Sequence, residues 1–205
     1  MPDLSLEAEL GGVVAGIDEV GRGPLAGPVV AAAVILDSAR LPRRLLERLD
    51  DSKALSKRLR EELAELIPAT AAIGFGEATV EEIDRVNILQ ATMLAMRRAY
   101  DALGRAAGHA LVDGNRSPGL SCPVRCVVKG DGISLSIAAA SVVAKVRRDA
   151  IMAELATTCP GYGWERNAGY GTPEHLDGLK RLGVTPHHRR SFAPVAQHMR
   201  LSEGG

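Results

Sequence analysis

Aromatic side chains are scarce in this sequence: two Phe, one Trp and three Tyr make up 3% of its 205 residues. The core must therefore be built mainly from aliphatic side chains and alanine, which requires close contact between helices and strands. The chain also lacks a net charge, because 25 basic residues balance 25 acidic ones. This balance argues against a protein that coats nucleic acid through a uniformly basic surface.

Long hydrophobic runs and cysteine frameworks are lacking too. The longest apolar run, residues 28–36, is far too short to cross a bilayer. Residues 1–12 are acidic and do not have the basic and apolar regions of a secretory signal. The three cysteines, Cys122, Cys126 and Cys159, match neither a disulfide framework nor a zinc-binding pattern. We therefore expect a cytoplasmic protein without a membrane partner.

Apolar residues (46%) and charged residues (24%) are balanced as in globular domains, so a folded chain is expected. The hydrophobic pattern predicts strands at residues 13–18, 28–36, 69–78, 109–113 and 123–131. Two short helices are predicted within residues 41–67, separated by a break at residues 50–52. Further helices are predicted from residue 79 to 103 and over residues 134–156 and 173–182. Strands that come first in succession and later alternate with helices indicate one α/β domain, residues 1–172, with a mixed central sheet flanked by helices. Residues 173–205 are predicted to pack on that domain as a small helical and basic appendage.

Three of the predicted strands end in acidic residues: Asp18 with Glu19, Asp113, and Asp131. Ligands gather beyond the carboxyl ends of strands in open sheets, so these acids are expected to converge at one edge. Carboxylates brought together repel one another unless a cation lies between them, and oxygen ligands alone select Mg²⁺ or Mn²⁺. Such ions complete their coordination with phosphate oxygens, which points to metal-assisted phosphoryl chemistry.

Two simpler interpretations stay open at this point. Asp113-Gly114 and Asp131-Gly132 are each also typical of ordinary turns. Adjacent side chains of a regular strand point to opposite faces, so Asp18 and Glu19 cannot both reach one ion from a flat strand. We therefore expect a twist or bulge at this point, or a contribution from the backbone carbonyl of Glu19.

Five motifs in order resemble the bacterial ribonuclease HII family, a type 2 ribonuclease H, over residues 13–192. They are "GIDEVGRGPLAGPVV", "DSKALSKRLREEL", "LVDGN", "VVKGDGISLSIAAASVVAKVRRD" and "YGWERNAGYGTPEH". The resemblance implies an RNase H-like fold and cleavage of the RNA strand of RNA/DNA hybrids. It also implies incision at single ribonucleotides in duplex DNA, dependent on Mn²⁺ or Mg²⁺. A monomer acting on these nucleic acids is expected, with its repair or replication partners left open.

The resemblance also implies residue roles. Asp18, Glu19, Asp113 and Asp131 correspond to the catalytic and metal-binding acids. Gly21, Arg22, Gly23 and Tyr170 correspond to the substrate-recognition elements. RNA differs from DNA at one nucleotide by its 2′-hydroxyl and sugar shape, which glycine backbone can approach closely. The hypothesis is hydrolysis on the 5′ side of the ribonucleotide, leaving 5′-phosphate and 3′-hydroxyl ends.

Further substrate contacts are predicted from position alone. Ser141, Lys145 and Arg148 lie on one face of a predicted helix, as in a stripe that faces a duplex. A solvated face with Lys145 paired to Asp149 is an equally good interpretation. Ser52 and Lys53 are candidates for backbone contacts, with solvent exposure as the alternative. The basic segment 180–190 is suited to flank nucleic acid, and His175, His187 and His188 are expected in indirect, phosphate-contacting or solvent-exposed positions.

Four rival functions are compatible with parts of these motifs. "GRGPLAG" is close to a dinucleotide-binding fingerprint, which must open a helix, whereas a strand is predicted here. A hybrid-binding protein without catalysis gains nothing from acids facing a polyanion. A Holliday-junction resolvase would also use acidic residues that bind divalent metal ions, but the Asp-Glu pair followed by Gly-Arg-Gly argues against it. A related RNase H-like nuclease with another structured substrate is the remaining alternative.

Overall fold

A five-stranded mixed sheet forms the centre of the computed structural model, which describes residues 1–50, 52 and 55–203. The sheet has the order β3-β2-β1-β4-β5. The strands are β1 (Val14–Val20), β2 (Val29–Leu36), β3 (Ala71–Ala78), β4 (His109–Asp113) and β5 (Val124–Val127). Antiparallel pairing joins β1, β2 and β3, whereas β1, β4 and β5 pair in parallel. The predicted mixed α/β sheet is therefore confirmed.

Helices cover both faces of this sheet. They are α1 (Ser5–Leu10), α2 (Arg43–Arg48), α3 (Lys57–Leu66), α4 (Val80–Asp101), α5 (Leu135–Thr158), α6 (Trp164–Asn167), α7 (Pro173–Leu182) and α8 (Ala193–Glu203). Helix α7 has the predicted bounds. The sequence pattern missed α1, and it treated α7 as the last helix although α8 follows.

Local capping signals in the sequence are reproduced in the structure. The Ser56 hydroxyl accepts a hydrogen bond from Leu59 N–H at the start of α3. Thr79 and Glu82, which match the capping-box pattern of a Thr followed three residues later by a Glu, form a capping box at the start of α4. A break inside α4 was not predicted: Asn87 has a φ of 68°, and its side chain caps the second half of the helix. An Asn tolerates this left-handed conformation because its short polar side chain bonds locally.

The helices lie close to the sheet because small residues face them. A Cβ on Gly16 of β1 would lie 2.2 Å from the backbone carbon of Ser136 in α5. On the other face, a Cβ on Gly76 of β3 would lie 2.1 Å from the carbonyl oxygen of Ala95 in α4. The core is accordingly rich in alanine and short aliphatic side chains, as the shortage of aromatics requires.

The C-terminal segment contacts the connection between β1 and β2. A β-bridge joins Ala26 to His188, and Gly27 N–H donates to the His187 carbonyl at 2.9 Å. The Arg189 N–H donates to the Leu25 carbonyl at 2.8 Å. The division of the chain at residue 172 stays a prediction. Among the described residues, none of the helices is both long and apolar enough for a membrane span.

Candidate active site

Three acidic side chains meet at the edge of the sheet where β1 and β4 run side by side. Ile17 of β1 pairs with Val112 of β4, and Asp18 and Asp113 come next on the two parallel strands. Within the described residues, carboxylate oxygens of Asp18, Glu19 and Asp113 lie within 4.8 Å of one another. The predicted convergence is confirmed for these three.

The adjacent acids converge without the predicted break in β1. Pairing with β2 continues through both residues, Asp18 opposite Ala32 and Glu19 opposite Ala31. The expectation of a bulge is therefore wrong. Strand β4 ends at Asp113, and in the part of the chain that the structure describes its pairing with β1 ends at Ile17 and Val112. Carboxylate oxygens of both residues nevertheless lie close to Asp113. The Glu19 N–H also donates to Asp18 Oδ1 at 2.7 Å.

Asp131 occupies a different position from the one predicted. Strand β5 ends at Val127, and Asp131 lies in a 3₁₀ turn, Gly130–Gly132, rather than at a strand end. It is buried, and the preceding Gly130 N–H donates to Asp113 Oδ1 at 2.7 Å. The turn therefore adjoins the three-acid cluster, of which Asp131 is not a member. Its role as a fourth acid stays a prediction.

Burial and mutual repulsion act together on the acids. Burial raises the pKa of Asp18 well above its usual value, and the neighbouring carboxylates of Glu19 and Asp113 raise it further. The pKa of Glu19 is also raised, first by burial and then by Asp113, although Arg22 opposes this shift. Arg22 Nη1 lies 3.4 Å from Glu19 Oε1. The cluster therefore holds negative charge that a cation would stabilise.

The donor set fits a hard divalent cation. The three side chains present carboxylate oxygens with no histidine or cysteine in the group, as Mg²⁺ and Mn²⁺ prefer. Ligands on opposite sides of such an ion, each about 2.1 Å from it, lie about 4.2 Å apart. Oxygens that all lie within 4.8 Å of one another are close enough to share one such ion.

The predicted recognition residues come together beside the acids. After β1 the chain passes through Gly21, Arg22 and Gly23 and leads into β2. A Cβ on Gly23 would lie 3.3 Å from Cε1 of Tyr170, so the ring lies directly against this glycine. Tyr170 remains 47% exposed, so its ring is accessible to a ligand. Because no helix follows the glycines, the dinucleotide-binding alternative is wrong.

Two serines predicted to contact substrate lie behind Asp18. Ser141 of α5 donates a hydrogen bond to the Asp18 carboxylate. The hydroxyl oxygens of Ser141 and Ser52 are 2.8 Å apart, and both residues are buried. The solvent-exposed alternative for Ser52 is therefore wrong. Lys53, the other predicted contact in this segment, lies outside the described residues.

The predicted stripe on α5 is only partly present. Lys145 Nζ donates to Asp149 Oδ1 at 2.6 Å, which confirms the alternative of an i,i+4 ion pair. Arg148 is fully buried and bonds to backbone carbonyls, so its prediction as part of a duplex-facing stripe is wrong. The helical period correctly placed Arg148 on the same face of α5 as Ser141 and Lys145. It could not show that other segments of the chain cover Arg148. Lys145 keeps a half-buried position and stays a predicted phosphate contact.

His175 and His188 have a structural role that the sequence did not indicate. His175 and His188 are fully buried beside Trp164, so the phosphate-contacting and solvent-exposed interpretations are wrong for both. Trp164 Nε1 donates to His175 Nε2, while His175 Nδ1 bonds to the carbonyl of Tyr170 at 2.9 Å. Burial lowers the pKa of His188 to about 3. Neutral rings therefore tie the Tyr170 loop to the protein core.

The sequence pattern did not single out Arg189 as a structural residue. The sequence indicated only a basic segment near nucleic acid, whereas Arg189 is fully buried and bonds to the connection after β1. Its neighbour Arg190 is exposed. The residue type gave no signal for this difference, because a buried arginine is rare.

Comparison with known proteins agrees with the geometry of this site. A family model described as Ribonuclease HII matches residues 15–195. The chain belongs to the ribonuclease HII family. A Ribonuclease HII of Paramagnetospirillum magneticum is 83% identical over 199 residues, covering 97% of this chain and 99% of the relative. One from Rhodospirillum rubrum is 65% identical over 204 residues, covering 98% of this chain and 94% of the relative.

Solved structures show the same fold. The ribonuclease H2 from Pyrococcus horikoshii OT3 has a TM-score of 0.79 and 26% identity, covering 95% of this chain and all of that one. Bst-RNase HIII in complex with Mn²⁺ has a TM-score of 0.74, covering 100% of this chain and 75% of that one; at 19% identity it supports the fold alone. As a ribonuclease HII, the protein is a metal-dependent endoribonuclease that acts on RNA/DNA hybrids. The RNase H-like fold is confirmed, and the rival functions outside this family are set aside.

Proposed function

We propose that the protein also incises duplex DNA on the 5′ side of a single embedded ribonucleotide. The observation that carries this proposal is the contact between the Gly23 backbone and the Tyr170 ring, beside the three acids. A site that needs one 2′-hydroxyl must read one sugar closely, without help from a long hybrid. The glycine provides close backbone approach, and the ring provides a flat surface and a hydroxyl.

In this proposal, neighbouring parts of one segment recognise the sugar and hydrolyse the phosphodiester next to it. Gly21, Arg22 and Gly23 follow Glu19 within four residues, so a ribose against Gly23 places its adjoining phosphate near the acids. Arg22, paired with Glu19 at 3.4 Å and half-exposed, is free to turn towards a phosphate. The Tyr170 ring closes the other side of the sugar.

Hydrolysis is assigned to the acidic cluster by a two-metal route. Asp18, Glu19 and Asp113, joined by Asp131, would hold Mn²⁺ or Mg²⁺. When bound, such ions supply an activated water and neutralise the leaving oxygen. Ser141, supported by Ser52, orients the Asp18 carboxylate through its hydrogen bond. Lys145 is retained as a contact to a more distant phosphate, with Lys53 as a second. Water would attack the phosphorus and the bond to the 3′ oxygen of the upstream nucleotide would break, so the products carry 5′-phosphate and 3′-hydroxyl ends.

The test is cleavage of an end-labelled DNA duplex that contains one ribonucleotide, with and without Mn²⁺. Matched all-DNA and all-RNA duplexes are the substrate controls. We expect incision only of the ribonucleotide-containing duplex, with a 3′-hydroxyl on the upstream fragment. A 2′,3′-cyclic phosphate would show attack by the 2′-hydroxyl instead of water and would overturn the proposed mechanism.

Tyr170→Phe tests the sugar-reading role, with Tyr162→Phe as the matched control. Tyr162 donates its hydroxyl to the Gly183 carbonyl inside the fold, at 2.8 Å. Loss of one hydrogen bond, about 0.5–1.5 kcal/mol, predicts a roughly 2- to 12-fold lower kcat/KM at the lone ribonucleotide for Tyr170→Phe. Tyr162→Phe should leave kcat/KM unchanged and affect only stability. Equal activity of Tyr170→Phe and wild type would refute this role.

A further inference from the structure

Two buried arginines lie behind the segment that joins β1 to β2. Arg148 of α5 and Arg189, between α7 and α8, are both 0% exposed. The Arg189 guanidinium donates four hydrogen bonds, to the carbonyls of Gly21, Arg22, Gly27 and Pro28, at 2.6–3.2 Å. The Arg148 guanidinium donates three, to the carbonyls of Ala26, Pro28 and Ala168, at 2.9–3.1 Å. We call residues 21–28 the recognition loop.

Burying two charged arginines in this way destabilises the fold. Burial lowers the pKa of Arg148 to about 10 and that of Arg189 to about 9, so both stay charged at neutral pH. The two charges also repel each other. Their hydrogen bonds end on backbone carbonyls, which compensate a buried cation less completely than a carboxylate does. Most of these hydrogen bonds hold the recognition loop in place.

The loop is shaped to fit the arginines. Gly21 has a φ of +97°, and a Cβ there would lie 2.1 Å from Nε of Arg148. Gly27 has a φ of +79°, and a Cβ there would lie 2.3 Å from Sδ of Met152 and 3.5 Å from Nη2 of Arg148. Only glycine is compatible with these positions, so the loop and Arg148 form one packed unit.

Arg148 also joins the recognition loop to the loop that carries Tyr170. Its Nη1 donates to the Ala168 carbonyl at 2.9 Å, while its Nε and Nη2 hold Pro28 and Ala26. The Leu25 N–H donates to the Gly169 carbonyl at 2.8 Å. The distance between Gly23 and the Tyr170 ring is therefore set by the contacts of Arg148 together with this direct hydrogen bond between the two loops.

We propose that Arg148 and Arg189 are positioning residues for ribose recognition. Their guanidiniums hold the backbone of Gly21–Gly23 at a fixed distance from the Tyr170 ring, so that the sugar and its phosphate align with the acids. Neither arginine touches the substrate. The proposal deepens the proposed function and rests on it, because a fixed sugar site matters most where a single ribonucleotide must be found.

The test compares Arg189→Lys and Arg148→Lys with wild type and with Leu45→Ala. Lysine keeps the positive charge but has one donor atom and cannot reproduce the planar guanidinium geometry. Leu45 is fully buried in the core cluster of α2, α3 and α5, so Leu45→Ala destabilises the fold without touching the recognition loop. The melting temperature of each variant is measured first, and kinetics are run well below the lowest value.

For the Lys variants we expect kcat at the lone ribonucleotide to fall about 10- to 100-fold, with KM within about threefold of wild type. Leu45→Ala should keep both constants. Hydrogen exchange is the second readout: the Leu25 and Gly27 amides, which are hydrogen-bonded in the wild type, should exchange faster in the Lys variants and not in Leu45→Ala.

Several outcomes would overturn the proposal. Lys variants with kcat within about twofold of wild type show that the guanidiniums do not align the substrate. Lys variants that fail to fold assign both arginines to stability alone. If wild type cleaves RNA/DNA hybrids but not the lone ribonucleotide, the proposed function fails; the same kcat and exchange comparison on the hybrid then decides separately whether the arginines position the sugar.

Discussion

Replacing Asp18 with Asn should stabilise the metal-free protein while abolishing catalysis. Oxygens of Asp18, Glu19 and Asp113 lie within 4.8 Å of one another, and Asp18 is only 5% exposed. At an effective dielectric constant of about 20, two unit charges at this distance repel by about 3.5 kcal/mol. The wild type already relieves part of this repulsion, because the raised pKa of Asp18 favours its protonated form. We therefore expect a gain of about 1–3 kcal/mol, or roughly 2–10 °C in melting temperature.

Asn keeps the local contact that Asp18 makes, because its amide oxygen can still accept the Glu19 N–H. The assay is thermal unfolding in EDTA and again in Mn²⁺, together with hybrid cleavage. Bound metal stabilises wild type by about 2.7 kcal/mol at a concentration 100 times the Kd, whereas Asp18→Asn should gain much less. The order of the two melting temperatures should therefore reverse or converge on adding Mn²⁺.

Asp177→Asn is the matched control, because Asp177 is an exposed partner of Arg181 in α7, away from the acids. Its melting temperature should not exceed that of wild type, and its activity should be unchanged. An Asp18→Asn protein that melts below wild type in EDTA would refute the reasoning, since it would mean that the three carboxylates do not repel one another in the metal-free fold.

Three further predictions concern the titration of the acids and the packing of β1 against α5. Mn²⁺ affinity, measured by calorimetry, should increase with pH, because the raised pKa values of Asp18 and Glu19 make protons compete with the ion; a pH-independent affinity would contradict this. In EDTA the folded protein binds more protons than the unfolded chain between the ordinary Asp pKa of 3.8 and the raised value, so the free energy of unfolding should fall as pH rises through that window. Gly16→Ala should destabilise by about 1–3 kcal/mol or more in urea unfolding, because its Cβ would lie 2.2 Å from the Ser136 backbone. Gly108→Ala is the control, since its nearest contact would be an ordinary 3.6 Å, and an equal loss in both variants would contradict the packing argument.

The glycines of the recognition loop satisfy two requirements, one from the ligand and one from the protein behind the loop. Its glycines were predicted to allow close approach of a ribose. The structure shows that Gly23 faces the Tyr170 ring, whereas Gly21 faces the guanidinium of Arg148. A glycine in a motif can thus be required by the protein behind the loop as much as by a ligand in front of it.

Local features could be predicted because their causes lie close together in the chain. The bounds of α7 follow from the Thr172 cap, Pro173 at the first turn and Gly183 at the end. The capping box of Thr79 and Glu82 is another such signal. Residue types alone also indicated a hard-metal site, since the strand ends carry carboxylates and no softer ligand.

Which of these residues meet could not be predicted from local patterns. Asp18 and Asp113 are neighbours because β1 and β4 pair in parallel register, a contact between segments far apart in the chain. The same applies to Arg148, whose helical face is covered by the recognition loop and the Ala168 carbonyl. Helical periodicity shows which side chains share a face, but burial depends on what packs against that face. Local patterns therefore indicate which reactive groups the chain carries, whereas long-range packing brings Arg148 against a loop and three acids to one edge of the sheet.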